Sequence, residues 1–319
     1  MVARLGAMAF CALALGACHL PEAEEPLLVG TNVWPGYEPL YLARNLGLFG
    51  EAEIKLVELT SATEVMRAFE NGQLDVAALT LDEALRLAVR GVPLDVAMAL
   101  DFSAGADALM SRPSVDSIAA LSGKRIGVET TATGALMLAR ALESAGMRST
   151  DVNIVPLAID EHSKAYAEGR IDAVVTFEPV RTQLLALGAR ELFSSREIAG
   201  QIVDVLVAQK DLSQEAHAHI EALMKAWDGA LKHLKDEPED SVRQMTARLG
   251  GSASAVSAMF AGLRLLGSTE GREWSHDERG LVRSAERLGE LLVTMGVIPP
   301  EREPHVELLG DAGSLVAPP

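Results

Sequence analysis

The chain has 319 residues, 49% of them hydrophobic, with 27 Gly and 14 Pro, so it buries a sizeable core and disorder is not its main character. Its formal net charge of −17 disfavours a nucleic-acid partner.

The chain opens MVARLGAMAFCALALGAC, with one charge at Arg4 and then an apolar run ending in small residues. This is the layout of a secretory signal over residues 1–17, and the run is too short for a stable membrane span. Leu15-Gly16-Ala17-Cys18 resembles a bacterial lipobox, in which the Cys becomes the first mature residue and carries the lipid. Removing residues 1–17 takes away Arg4 and Cys11, which leaves 27 basic against 45 acidic side chains and no disulfide. Residues 18–26, CHLPEAEEP, form an acidic spacer.

Strand-like runs LLVGTNV, IKLVEL, DVAALT and LDVAMAL then alternate with helical patterns such as PLYLARNLGLF and LDEALRLAVRG. The alternation predicts an α/β lobe with a mostly parallel sheet. A second series, KRIGVE, VNIVPL, DAVVTF and RELFSS with its own helical runs, predicts a second lobe. Both contain the same joint: Gly72 and Asp75 in one, Gly169 and Asp172 97 positions later in the other. Gly ends a helix and Asp opens a buried strand, which fits either duplicated lobes or two common helix-to-strand joints.

From Ser213 the pattern turns helical, with Ile220, Leu223, Met224, Trp227, Leu231 and Leu234 on one face as core packing. Further helices are expected over 240–249, 254–265 and 277–295, followed by a loose Pro-rich tail from Ile298.

No GxSxG elbow, HExxH pair, phosphate loop or CxxC pair occurs, so the reading is a non-enzyme without cofactor or metal. His217 and His219 sit two apart on a helix, point to different faces and read as solvated surface.

In open parallel α/β sheets ligands bind beyond the carboxyl ends of strands. Here those turns are TNVWPGYE, TSATE, TLDE, DFSAGAD, ETTATG and FEP. They supply the candidate contacts Trp34, Tyr37, Glu38, Thr80, Asp82, Asp101, Phe102, Thr130, Thr131, Thr133, Phe177 and Glu178. Aromatics are otherwise scarce at 4%, and flat apolar walls with a few directional polar groups suit a small-molecule pocket. Asp82, Thr133 and Glu178 also read as helix caps or first-turn charges, and Phe102 and Phe177 as core.

The segments WPGYEPLYLARNLGLF, GADALMSR, LSGKRIGVE and AVVTFEP, in this order, resemble the solute-binding proteins of nitrate, sulfonate and taurine type ABC importers. This NMT1/THI5-like family also includes binders of thiamine-pyrimidine precursors. The likeness runs from Leu27 to Gln209. It implies an α/β type II periplasmic-binding-protein fold, two lobes around a cleft with additional C-terminal helices. Residues 27–104 and 205–300 would form lobe one, 105–204 lobe two and 301–319 the tail. The implied partners are a small-molecule solute, an ABC permease with its ATPase, and a membrane reached through the lipid on Cys18. The implied state is a monomer on the periplasmic or cell-surface side.

The family suggests an anion, held at helix N-termini by free N–H groups. The cleft turns instead offer Glu38, Glu64, Asp82, Glu83, Asp101, Asp107, Glu129 and Glu178, with Arg181 as the nearest basic residue. The preferred solute is therefore neutral or amine-bearing, stacked on an exposed Trp34 or Tyr37, with Asp101 or Glu178 accepting its donors. The alternatives are an anion (sulfonate, taurine or nitrate) held by Thr130, Thr131, Thr133 and backbone N–H groups, a ligand-sensing lipoprotein, or an enzyme of thiamine-pyrimidine type.

Overall fold

The computed structural model describes residues 25–131, 133–299, 305–309 and 312–316. The signal segment and the proposed lipidation residue Cys18 lie outside them. In chain order, β1 (Leu27–Thr31), α1 (Glu38–Asn45), β2 (Ile54–Glu58), α2 (Ala62–Glu70), β3 (Val76–Thr80), α3 (Leu81–Val89) and β4 (Leu94–Ser103) begin one sheet and its helices. Then β5 (Asp107–Ser111), β6 (Arg125–Val128), α4 (Gly134–Ser144), β7 (Asn153–Pro156), α5 (Ile159–Ala167), β8 (Ala173–Phe177), α6 (Val180–Ala186) and β9 (Arg190–Ser194) build another. The chain returns through β10 (Val203–Gln209) to α7 (Gln214–Asp236), α8 (Pro238–Leu249), α9 (Ala253–Phe260), β11 (Leu263–Leu265), α10 (Ser268–His276) and α11 (Arg283–Thr294). It ends in β12 (His305–Leu309) and β13 (Ala312–Val316).

The first sheet runs β12-β13-β4-β10-β3-β1-β2, with β11 also on β4; the second runs β7-β6-β8-β5-β9. Within each, the βαβ units pair in parallel, β1 with β2 and β3, β6 with β7 and β8. Neither sheet is mostly parallel as expected, because β10 returns antiparallel between β3 and β4 and β5 runs antiparallel to β8 and β9. Parallel pairing follows from the helix that connects each pair of strands. Such strands are covered on both sides, which is why β3 reads VAALT, buried along all but its last residue.

The repeated joint has one geometry in both sheets. Gly72 (φ 66°) and Gly169 (φ 74°) take the left-handed turn that ends a helix. Asp75 Oδ2 then accepts the Leu28 N–H at 2.8 Å, and Asp172 Oδ2 accepts the Arg125 N–H at 2.9 Å. Both aspartates thus tie a strand entrance to its parallel neighbour, and Val76 faces Val29 as Ala173 faces Ile126.

The C-terminal half departs from expectation in three places. The helix expected over 254–265 stops at Phe260, and Leu263–Leu265 pair with β4 instead. Gly262 explains the stop, because a Cβ there would lie 2.8 Å from the Ala106 backbone N. The segment expected as a loose tail contains β12 and β13, and β13 pairs antiparallel with β4 from Gly313↔Val96 to Leu315↔Leu94. HVELL and AGSLV are short strand-forming runs that the flanking prolines obscure. His219, expected as solvated surface, is buried on α7.

Candidate functional site

A cavity of about 40 Å³ lies where the carboxyl ends of β1, β3, β6 and β8 approach one another. It is lined from the first sheet's side by Asn32, Trp34, Tyr37, Thr80, Glu83 and Asp204, and from the second's by Asp107, Glu129, Thr133, His162, Thr176 and Phe177. That volume holds roughly three waters.

One wall is aromatic. Trp34 and Phe177 meet edge to face, with ring centroids 5.6 Å apart at 82°. The indole N–H of Trp34 donates to Asp101 Oδ2 at 3.4 Å. Gly36 makes room for this contact, since a Cβ there would sit 2.1 Å from Asp101 Oδ2 and 2.3 Å from Trp34 Nε1. The Tyr37 hydroxyl donates to Asp204 Oδ1. Trp34 and Tyr37 were expected to stand exposed, yet they are only 4% and 3% accessible. Both belong to a core cluster with Leu40, Tyr41, Met98 and Leu206, and Phe177 from the opposing side adds cover to Trp34.

Behind this wall Asp204 faces Asp101 across β10 and β4. Asp101 Oδ1 and Asp204 Oδ2 have no hydrogen-bond donor among the described residues, an arrangement that a proton held between the two carboxyls would satisfy. Burial pushes both up, and each ionised neighbour raises Asp204 further. Burial also lifts Asp107 to about 7 and Glu83 to about 8. His162 is pushed the other way, to about 4, so it is neutral at physiological pH. Its Nε2–H donates to the Leu157 carbonyl at 3.3 Å, and Nδ1 accepts from Thr176 at 3.2 Å.

The cleft is bridged by direct polar contacts. Thr63 in the first turn of α2 donates its N–H to Glu129 Oε1 at 3.2 Å, and its hydroxyl reaches the same oxygen. The hydroxyls of Thr63 and Thr131 are 2.6 Å apart, as are those of Thr80 and Thr133. Thr133, which precedes α4, donates its hydroxyl to Asp82 Oδ1 at 2.7 Å and its N–H to Glu83 Oε1 at 3.4 Å. Glu83 Oε2 accepts the Thr80 N–H at 3.0 Å, so one carboxylate serves the N-termini of both α3 and α4.

Of the sequence-derived candidates, Trp34, Tyr37, Thr80, Thr133 and Phe177 line the cavity. Glu38 does not: it is buried against Arg248, 3.0 Å away, with burial lifting it to about 7 against that guanidinium's pull. Asp82 lies behind the cavity with Arg86, whose Nη1 also reaches the Thr130 carbonyl at 3.3 Å. Asp101 stands one layer back, fully buried. Phe102 packs against Trp274 under Arg264. Thr130 and Thr131 are exposed on the loop before α4. Glu178 caps α6, accepting from the Thr182 N–H and hydroxyl and pairing with Arg181 at 2.9 Å. The basic partners of the cleft carboxylates therefore include Arg86 and Arg248 as well as Arg181.

Sequence reasoning singled out neither Asp204 nor His162. Asp204 had a signal, a lone charge in the buried run VDVLVA, whereas nothing marks His162 within EHSKAY. Among the described residues no cluster of His, Cys, Asp and Glu is arranged to hold a metal ion. Among them also, no helix is long and apolar enough to cross a membrane.

The family model described as NMT1/THI5 like matches residues 34–241. An Escherichia coli (strain K12) protein named for binding aliphatic sulfonates is 19% identical over 212 residues, 66% of this chain and 66% of that protein. The alignment thus spans just under two thirds of this relative's length. Among solved structures, the alkanesulfonate-binding protein SsuA from Xanthomonas axonopodis pv. citri, bound to MOPS, superposes with a TM-score of 0.73 at 17% identity, covering 87% of this chain and 96% of that one. A Candida albicans protein described as having the generic periplasmic binding protein fold gives 0.70 at 14% identity, covering 86% and 92%. The match over residues 34–241 and the shared two-sheet architecture place the chain in the NMT1/THI5-like family, with a periplasmic binding protein fold.

Proposed function

We propose that the chain is the extracytoplasmic solute-binding component of an ABC-type importer, and that its solute is a small neutral or amine-bearing nitrogen compound. The observation that carries the solute class is the cavity lining: four carboxyl residues, Glu83, Asp107, Glu129 and Asp204, and neither Lys nor Arg. Any of these groups that ionises repels a sulfonate or nitrate in a poorly screened setting, whereas a cation favours the ionised form of carboxyls that burial holds near 7 and 8. The N-terminus of α4, the natural place for an anion, is already served by Glu83 and Asp82.

Solute would bind one lobe and favour closure by touching the other, since only differential affinity shifts an open-to-closed balance. The closed form is then presented to a permease and its ATPase. The lipobox-like Leu15–Cys18 supports a lipid anchor on Cys18, holding the protein at the outer side of a membrane. The relatives' names support a binder rather than an enzyme.

An anion is the second reading, favoured by the Thr80 and Thr133 hydroxyls on the cavity wall. Calorimetry of the full chain against amines, nitrogen heterocycles, taurine, methanesulfonate and nitrate separates the two. Binding confined to the sulfonates or nitrate would overturn the preferred solute class.

A further inference from the structure

Three of the cavity's carboxyl groups have an oxygen without a hydrogen-bond partner among the described residues: Asp204 at Oδ2, Asp107, the first residue of β5, at Oδ2, and Glu129, just past β6, at Oε2. Asp107 and Glu129 are each only 6% exposed. Around them the chain is tied down: the Asp107 backbone N–H donates to Ser103 Oγ at 3.3 Å, and Glu129 Oε1 accepts the Thr63 N–H at 3.2 Å. A buried carboxylate oxygen that has lost water and gained no donor is costly, and such orphans mark a missing partner.

The other acidic groups are accounted for within the chain. Asp204 accepts from Tyr37 at Oδ1, and its Oδ2 belongs to a residue that stands opposite Asp101, where a proton held between the two raised carboxyls would serve it. Glu83 receives the Thr80 and Thr133 N–H groups, and Asp82 faces Arg86. His162, the one basic side chain on the lining, has both ring nitrogens occupied by Leu157 and Thr176. Among the described residues neither Lys nor Arg lines the cavity to serve Asp107 and Glu129.

We infer that Asp107 and Glu129 are the receptor for a cationic, N–H-bearing nitrogen group of the solute, of the ammonium or amidinium class, with the Trp34 and Phe177 rings as its apolar wall. The inference rests on the solute-binding reading above and narrows its solute from neutral or amine-bearing to cationic. Each orphan oxygen gains a charge-assisted hydrogen bond from such a group, and the ring faces add cation–π attraction. The cavity's small volume suits a compact head group.

The test uses thermal unfolding and calorimetry of the full chain with four small probes: acetamidinium, its neutral isostere acetamide, tetramethylammonium, and methanesulfonate. A probe of this size binds no tighter than weakly, so each is taken to roughly 100 mM. Acetamidinium is expected to stabilise the protein, with acetamide and tetramethylammonium at least about tenfold weaker. Asp107→Asn and Glu129→Gln should each lower acetamidinium affinity roughly tenfold or more, while the unliganded Asp107→Asn protein melts no lower than the parent. That opposite movement of affinity and stability separates a ligand contact from a structural role. Acetamide binding as well as acetamidinium, or no response to acetamidinium, overturns the inference but leaves a neutral solute standing. Stabilisation by methanesulfonate alone overturns both.

Discussion

Asp101 on β4 and Asp204 on β10 stand opposite one another at the back of the cavity, each with one carboxyl oxygen that has no donor among the described residues, as a proton shared between them would explain. An amide can take the place of the acid that carries the shared proton. Asp101→Asn is therefore expected to leave stability within about 1 kcal/mol of the parent in urea unfolding. Asp101→Leu, which strips Trp34 Nε1 of its acceptor, should cost roughly 1–3 kcal/mol. Equal large losses for both variants would argue against a proton between the pair.

The raised carboxyls fix the direction of the pH dependence. Asp107 at about 7 and Glu83 at about 8 lie above their unfolded values, chiefly through burial. Between about pH 4 and 8 the native chain thus holds more protons than the unfolded one, and its stability falls as pH rises. Their contribution is fully present below the unfolded values and is lost as pH passes the folded ones. The depressed carboxyls Asp172, Asp236 and Asp240 act in the opposite sense at lower pH, and the buried His162, held at about 4, opposes the trend only up to its unfolded value of about 6.5. Calorimetric scans of unliganded protein should show Tm falling by roughly 5 °C from about pH 5.5 to about pH 8.5, with a smaller fall in Asp107→Asn. A Tm that rises across that range would contradict the assignment.

Arg248 holds three groups on the flank of the site: Glu38, Glu58 and the ring of Tyr41, 3.3 Å from its guanidinium carbon. Arg248→Met leaves Glu38 buried without its cation, at an expected cost of about 3–5 kcal/mol. Adding Glu38→Gln should recover a good part of that loss. Denaturant unfolding of the two single variants and the double measures the coupling.

Thr63 links the two sides of the cleft through Glu129 and Thr131. Thr63→Val keeps the shape and removes the hydroxyl, so global stability should change by no more than about 1 kcal/mol. Small-angle scattering of the unliganded variant should show a more open particle than the parent. An unchanged profile would mean that this contact does not contribute to closure.

Trp34 joins the aromatic wall to the carboxyl pair behind it. Trp34→Ala should destabilise the protein by about 3–5 kcal/mol and weaken binding of any solute found by calorimetry. Trp34→Phe, which keeps an aromatic edge for Phe177, should lose less of both. Gly36→Ala is expected to resemble Trp34→Ala, because its Cβ falls on the indole nitrogen.

The lobes' βαβ series was legible because short apolar runs and helical patterns alternate from Leu27 to Ser194. The strand-end rule then located the cavity through Trp34, Thr80, Thr133 and Phe177. Sequence could not tell which charge faces the cleft and which faces the chain. Glu38, one residue after Tyr37, turns to Arg248 some 210 positions away, a pairing no local pattern contains. Asp204 enters the site because β10 inserts between β3 and β4, a topology that strand patterns alone do not order. The C-terminal hairpin was hidden for a simpler reason, since five-residue strands beside prolines resemble loops.

The joint repeated at Asp75 and Asp172 sets a common frame for both halves of the cavity. Carried along the chain by the same 97 positions, Asn32 corresponds to Glu129 and Thr80 to Phe177, and all four line the cavity. Equivalent positions of the two sheets thus face one chamber, one pair with an amide and a hydroxyl, the other with a carboxylate and a ring. The difference between the paired positions gives the chamber its polarity. A change of diet for such a protein requires retouching a few paired positions while the scaffold that presents them stays fixed.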